Sequence, residues 1–319
     1  MAEKLEDALK AIEISGPPSL SDMPMDVMHV IVDHLDAMDR LILRYVNRKM
    51  RNFVDNKKPN FKNIEVKAED ESYKLVLDQK STIVYNSNGS GCIAKYDERW
   101  VLKINKDELA VMFDDVAVWM KYPKLRLDEF KLSAGWDYMM TINLLKEIKD
   151  VEDMFQAKKV ILDVFEFCRD AFSILSHFEP GILEEIGIFC SDVYGSIHKL
   201  FTLEQWKQAK SVTLKCIEGI DIPIEHLFHL SRFDITLSEV SVSDARKIRD
   251  VLMKSAQFEC GEICLLFDSD LRIEADVVRV FNPNFVDEYV SRPLQFKVEQ
   301  FLVIIHKTSL RIKKIENPH

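Results

Sequence analysis

Residues 19–58 read SLSDMPMDVMHVIVDHLDAMDRLILRYVNRKMRNFVDNKK, and the organisation of the chain follows from them. Apolar residues recur at helical spacing throughout, and so short a stretch cannot hide that much apolar surface within itself. Asp22-Met23-Pro24 supplies a helix start, because proline fixes φ near the helical value where its missing N–H costs nothing, and Asp26 complements the dipole in the first turn. The first helix is predicted to run to Leu35. At about 100° per residue, Val27, Met28, Val30, Ile31, Val32 and Leu35 form an arc of roughly 200°, interrupted by His34. A helix that buries one stripe needs about half that width, so this one is expected to bury two sides. Asp39 is placed to cap a second helix carrying Leu41, Ile42, Leu43 and Val46. Met50, Phe53 and Val54 then continue the pattern until Pro59 stops it. The expectation is three short helices with one apolar flank left to cover.

Met23-Pro24-Met25-Asp26-Val27, followed by Ile31, Leu35, Leu41 and Val46, resembles the F-box: a Leu-Pro start, aliphatics one turn apart, a second helix and a closing basic-aromatic segment. Met23 stands where the family has Leu and Met50 where it often has Trp; both keep the position apolar, and swaps of similar volume are tolerated. The resemblance implies that Leu20, Met23, Pro24, Val27, Ile31, Leu35, Leu41 and Val46 dock a Skp-type adaptor, and through it a cullin-RING ubiquitin ligase. From the residues alone, a three-helix subdomain packed on the rest of the chain remains the alternative.

The chain has 319 residues, 47% apolar and 30% charged, ordinary values for globular protein with two or three compact parts. A net charge of −10 argues against direct nucleic-acid binding, since no excess of Lys and Arg is available to displace counterions from phosphates. Locally the balance reverses: Arg40, Arg44, Arg48, Lys49, Arg51, Lys57 and Lys58 face only Asp55 between residues 40 and 58, which suggests either an acidic partner or a solvated helix face. No apolar run reaches the length of a membrane span, and MAEKLEDALK lacks the basic start and apolar core of a signal peptide, so a cytoplasmic or nuclear protein with no membrane partner is expected. Cys92, Cys168, Cys190, Cys216, Cys260 and Cys264 are scattered through apolar segments, as reduced thiols are.

Residues 1–18 end in Ser15-Gly16-Pro17-Pro18 and read as a flexible tail. After Pro59 the apolar period changes to two, giving short strands at 63–66, 73–77, 82–85, 92–96 and 100–104. Asn86 to Gly91 is Gly-rich but lacks the Gly-Lys-Ser/Thr of a phosphate loop and precedes a strand, so a hairpin loop is expected. Residues 106–121 return to helix, with Leu109, Met112, Phe113, Val116 and Met120 on one side. Strands at 125–132, 160–165, 185–189, 212–217, 233–237 and 263–267 then alternate with helices at 139–149, 169–177, 224–230 and 244–254, which implies β–α units with parallel neighbours. Ser241 with Asp244 is a capping signal. Residues 298–306 and 309–315 form a last strand pair that closes the array.

In Phe233-Asp234-Ile235-Thr236-Leu237-Ser238 and Val212-Thr213-Leu214-Lys215-Cys216, apolar and polar residues alternate, whereas a doubly wound sheet writes continuous apolar strands. One face is therefore expected to be open. Strand centres at Ile161, Ile186, Leu214, Ile235 and Leu265 advance in steps close to those of leucine-rich repeats, roughly 20 to 29 residues. The fold class is thus α+β passing into α/β: a three-helix N-terminal bundle, a short antiparallel β segment and an irregular leucine-rich-repeat-like two-layer solenoid. Its open sheet would offer Thr213, Lys215, Asp234, Thr236 and Ser238 to a target.

Trp206-Lys207-Gln208-Ala209-Lys210, then Pro223 to His229, then Glu239-Val240-Ser241 running into residues 244–255, resemble the FTH domain that follows the F-box in a large nematode family. On that resemblance the chain divides into a tail (1–18), an F-box (19–60), a β-strand linker region (61–105) and an FTH α/β domain (106–319). The family implies a non-catalytic adaptor subunit of a Skp–cullin–F-box ligase whose FTH domain recruits a target protein, without cofactors. A protein-interaction scaffold uncoupled from ubiquitination is the alternative.

No catalytic set competes with that reading. His226 and His229 share a helical face but lack further ligands at a recognisable spacing, so no metal site is expected. Cys260 and Cys264 flank a turn into a strand, and Asp268-Ser269-Asp270 lacks the oxygen ligands of a calcium loop. Cys190 near Asp192 and His198 has no oxyanion hole or fixed geometry.

Overall fold

The computed structural model describes residues 20–97, 100–120, 122, 125–148, 154–166, 171–192, 197–265, 272–287 and 290–315. The tail, Cys168 and Asp268-Ser269-Asp270 lie outside the described residues. Two compact units form, one from Met1–Lys62 with Glu71–Leu125 and the other from Asn63–Asp70 with Arg126–His319.

The first unit opens with three helices, α1 (Met25–His34), α2 (Ala37–Arg44) and α3 (Arg48–Asp55). Pro24 stands immediately before α1 rather than as its first residue. The cap of α2 is Asp36, not Asp39: residue 36 is extended, and its carboxylate accepts from the Asp39 N–H at 2.8 Å. Asn47 caps α3 in the same way, accepting from the Met50 N–H at 2.9 Å. Met28, Val32, Leu43, Met50, Phe53 and Val54 make the small core between the helices.

β1 (Asn63–Glu69) belongs to the second unit. β2 (Ser72–Leu77), β3 (Ser81–Ser87), β4 (Cys92–Tyr96) and β5 (Trp100–Ile104) form an antiparallel meander in the first. The Gly-rich stretch is the hairpin loop between β3 and β4, with the Asn88 N–H donating to the Gly91 carbonyl at 2.8 Å and Gly89 at φ +71°. α4 (Glu108–Met120) packs across β2, β3 and β4, burying the five expected apolar residues and, with them, Asp115.

In the second unit β6 (Arg126–Ser133), β7 (Gln156–Glu166), β8 (Glu185–Asp192), β9 (Ser211–Cys216), β10 (Arg232–Leu237) and β11 (Cys260–Leu265) lie side by side, in chain order and parallel. β1 joins β6 in parallel. Helices stand between these strands, α5 (Tyr138–Ile148), α6 (Phe172–Leu175), α7 (His198–Thr202), α8 (Glu204–Gln208) and α9 (Val242–Asp250), except between β9 and β10, and α10 (Ala275–Phe281) follows β11. Ser241 and Asp244 form the expected capping box on α9. The expected helix over 224–230 is a single 3-10 turn, Ile224–Leu227, whose backbone closes i to i+3 bonds, and beyond it the His229 side chain donates to the Trp206 carbonyl. The helix expected over 169–177 is confined to α6, with 167–170 outside the described residues.

The far end of this unit differs from the expected strand pair. β12 (Leu294–Val298), β13 (Phe301–His306) and β14 (Ser309–Lys314) make three antiparallel strands, with β14 against β11. Glu299, at φ +52°, turns the chain between β12 and β13 and so splits the run read as one strand. Burial alternates residue by residue in β9, β10 and β11, so one face of each strand lies in the core and the other remains half-exposed, as the alternating sequence requires.

Gly261 lies on the core face, where an added Cβ would stand 2.3 Å from Cζ of Phe233. That ring stacks on Phe258, which in turn contacts Phe301. Gly261→Ala is expected to lower the unfolding free energy by about 1–3 kcal/mol, the cost of overpacking a filled core. Adding Phe233→Leu should restore part of the loss, and urea unfolding of both variants measures it.

Candidate functional site

Leu20, Met23, Ile31 and Leu35 are half-buried and pack together on the core of the three helices. Pro24 is half-buried beside them in sequence, and Val46 is 58% exposed in the turn between α2 and α3. Met25 and Val30 on α1 are also exposed large apolar residues. Val27 and Leu41, expected on the uncovered flank, turn inward. Leu41 is 1% exposed because α4 covers it: with Arg40, Val54 and Phe61 it faces Val118 and Trp119 across a small cavity. A second, larger groove of about 380 Å³ lies on the bundle, floored by Met25, Met28, Met50 and Phe53 and rimmed by His29, Lys49 and Lys57.

The basic run is partly consumed by the fold. Arg40 is buried, its Nε donating to the Val32 carbonyl at 3.0 Å and its Nη1 to the Lys58 carbonyl at 2.8 Å, which ties off the end of α1. Arg44 pairs with Asp55 at 2.6 Å, and Lys57 pairs with Asp33 at 2.7 Å while lying 5.6 Å above the Phe53 ring. Arg48, Lys49, Arg51 and Lys58 are exposed.

Beneath α2 lies a polar cluster that sequence reading missed. Asp115, fully buried on α4, accepts hydrogen bonds from the hydroxyls of Tyr45 and Tyr85 at 2.9 Å each and of Tyr96 at 3.4 Å, and lies 3.4 Å from Arg44 Nη1. Burial pushes its carboxyl up to about 6, against the opposing pull of the Tyr85 and Tyr45 hydrogen bonds and of Arg44. Burial and the same carboxylate hold all three phenols well above their ordinary range, so they remain donors. These groups are 19 to 71 residues from Asp115 in the chain, and only the strand–helix packing assembles them.

On the second unit, Thr213, Lys215, Asp234, Thr236 and Ser238 share the half-exposed face. Thr213 stands opposite Asp234 in register, and Lys215 forms an ion pair with Asp234 while its ammonium lies 3.6 Å from Cys264 Sγ. Charge ladders cross the same face: Lys131 with Glu65 at 2.8 Å, Lys159 with Glu129 at 2.9 Å and Arg311 with Glu262 at 2.6 Å. The apolar part of this face went unread: Trp136 is 74% exposed and Phe189 39%.

His226 and His229 make contacts within the second unit. His226 stacks on Phe201 with ring centroids 4.2 Å apart, and His229 Nε2 donates to the Trp206 carbonyl at 2.9 Å. Among the described residues no three His, Cys, Asp or Glu side chains stand together as metal ligands would. Cys92, Cys260 and Cys264 are free thiols, and burial pushes Cys92 up to about 11. Cys190 points at the Lys215 carbonyl, 3.7 Å away, and His198 lies against Phe201. No helix among the described residues is long and apolar enough to cross a membrane.

Comparison with known proteins gives two domain families. The F-box domain family matches residues 20–62, and the FTH domain family matches residues 140–284. F-box A protein 224 of Caenorhabditis elegans is 29% identical over 284 residues, covering 84% of this chain and 71% of that protein. F-box A protein 155 of the same organism is 26% identical over 268 residues, covering 77% of this chain and 63% of that protein. No solved structure matches.

Proposed function

The chain belongs to the F-box proteins that carry a C-terminal FTH domain, and on that premise we propose that it is a non-catalytic substrate-recognition adaptor of a Skp–cullin–F-box ubiquitin ligase. The observation that carries this reading is the apolar flank of the three-helix bundle. Leu20, Met23, Pro24, Ile31, Leu35 and Val46 dock the Skp-type adaptor, with Val27 and Leu41 holding the flank from beneath. The groove of Met25, Met28, Met50 and Phe53 adds a second apolar surface on the same three helices. The second unit is read as an irregular leucine-rich-repeat-like two-layer array, supported by the chain-order parallel run from β6 to β11. Its open face, around Thr213, Lys215, Asp234, Thr236 and Ser238, holds a target protein near an associated ubiquitin-conjugating enzyme. Raising effective concentration then does the work that a catalytic residue would do elsewhere. The free thiols support a reducing compartment, cytoplasm or nucleus.

Co-purification with a Skp-type protein tests the docking. Wild type is expected to retain the adaptor, and Ile31→Asp and Val46→Asp to lose at least about 90% of it, since a charge buried without a partner at an interface costs several kcal/mol. Val46 is exposed, so its variant should melt with wild type and serves as the folding control. Equal retention by wild type and both variants would refute ligase coupling and leave a scaffold.

A further inference from the structure

Asp163 occupies an unusual place on the open face of the second unit. Val160, Leu162 and Val164 of β7 are buried in the core, so Ile161, Asp163 and Phe165 project from the opposite side. In register, Asp163 stands between Ser133 of β6 and Phe189 of β8. Along its own strand it stands between Ile161 and Phe165. Trp136, in the turn after β6, lies against Phe165 with ring centroids 4.6 Å apart, and its backbone neighbours Ala134 and Gly135 donate to the Asp163 carbonyl. A half-buried carboxylate thus has Phe189 beside it in register and Phe165, with Trp136 against it, two residues along the strand.

Several neighbouring charges of this face are matched. Lys131, the nearest cation on β6, is spent on Glu65, and Lys215 on Asp234. Asp163 has no ion pair or side-chain hydrogen bond among the described residues. Burial pushes its carboxyl up and Lys131 offsets this only in part, which marks a group that would gain from a cation brought to it. Aromatic faces beside a carboxylate suit a guanidinium in particular, because it stacks flat on a ring while its edge donates to the two oxygens. A polyanion such as nucleic acid is the wrong sign for this place, as it is for a chain of net charge −10.

We propose that Asp163, with Trp136, Phe165 and Phe189, forms a recess that takes an arginine side chain of the protein held on this face. The proposal rests on the reading of the open face as the target-binding surface, and it adds the chemistry of the target: an arginine-bearing segment with apolar flanks that meet Ile161 and Phe189.

Two synthetic peptide pools test it, each with randomised flanks, one with arginine fixed at the centre and the other with citrulline, a neutral isostere. Immobilised full-length protein is expected to bind the arginine pool on the order of tenfold better, the preference that a charge-assisted contact with a cation–π component supplies. Asp163→Asn should abolish the preference, and Trp136→Ala should reduce it several-fold with an unchanged melting curve, since Trp136 is exposed. No preference in wild type, or a preference that survives Asp163→Asn, would overturn the recess. The reading of the whole face is judged separately: Asp234→Lys with Thr236→Lys should lower binding of both pools alike, and a recess that fails while this effect holds leaves the target surface standing.

Discussion

Asp115→Ala is expected to cost the first unit about 3–5 kcal/mol, the scale for removing one member of a buried, charge-assisted network. Alanine would leave the hydroxyls of Tyr45, Tyr85 and Tyr96 without their acceptor and strip Arg44 of one of its two carboxylates. Asp115→Asn keeps the shape and one acceptor oxygen, so its loss at neutral pH should be smaller. The two variants also separate charge from geometry through pH. The folded carboxyl titrates near 6 and its ordinary value is 3.8, so the folded chain binds this proton more readily than the unfolded chain. The stabilisation tied to that proton is fully present below about pH 3.8 and is lost as pH rises through about 6. Asparagine does not titrate, so its stability relative to wild type should rise by on the order of 2–3 kcal/mol between pH 4 and pH 7. Urea unfolding across that range measures the gap, and a gap that stays constant would show that Asp115 titrates normally.

The second large effect is expected at Trp206. Its indole is 1% exposed, its Nε1 donates to the His226 carbonyl at 3.2 Å, and its own carbonyl accepts from His229. Phe201 meets its ring edge-on at 5.2 Å and stacks on His226, so one indole joins α7, α8 and the 3-10 turn at Ile224–Leu227. Trp206→Ala should cost about 3–5 kcal/mol, from lost apolar burial and the cavity left behind. Trp206→Phe keeps most of the ring and loses one hydrogen bond, so about 1–2 kcal/mol is expected. Denaturant midpoints of the two variants decide the matter: near-equal losses would place the stabilisation in the hydrogen bond rather than in the packing. Within the stretches that resemble the FTH domain, Trp206, Ile224 and Leu227 are thus buried residues of the architecture.

The elements that could be read from sequence are those whose signal is local. The period of two in residues 233–237, the capping pair Ser241 and Asp244, and the apolar run of α1 each state their structure within a few residues. What could not be read depends on distant partners. Asp114 and Asp115 are adjacent and chemically identical, yet one is exposed and pairs with Lys106 while the other is buried among tyrosines. Leu41 and Ile42 differ in burial for the same reason, since α4 arrives from far along the chain. β7 lacks the alternating signal: Val160-Ile161-Leu162-Asp163-Val164-Phe165 is apolar but for Asp163, yet Ile161 and Phe165 stand half-exposed beside it.

The reversal of direction at β14 has a consequence for growth. A ladder that adds one rung per repeat can lengthen by duplication, but a rung inserted after β11 would lose the antiparallel neighbour that residues 309–314 now provide. Duplication is therefore confined to the interval from β6 to β11. The outermost rung is guarded as well: Pro293 stands just before it, exposed Gln295 and Lys297 lie along it, and the bend at Glu299 ends it after five residues. Such an edge offers a second molecule little to zip onto, and concentrated solutions are expected to resist edge-to-edge stacking.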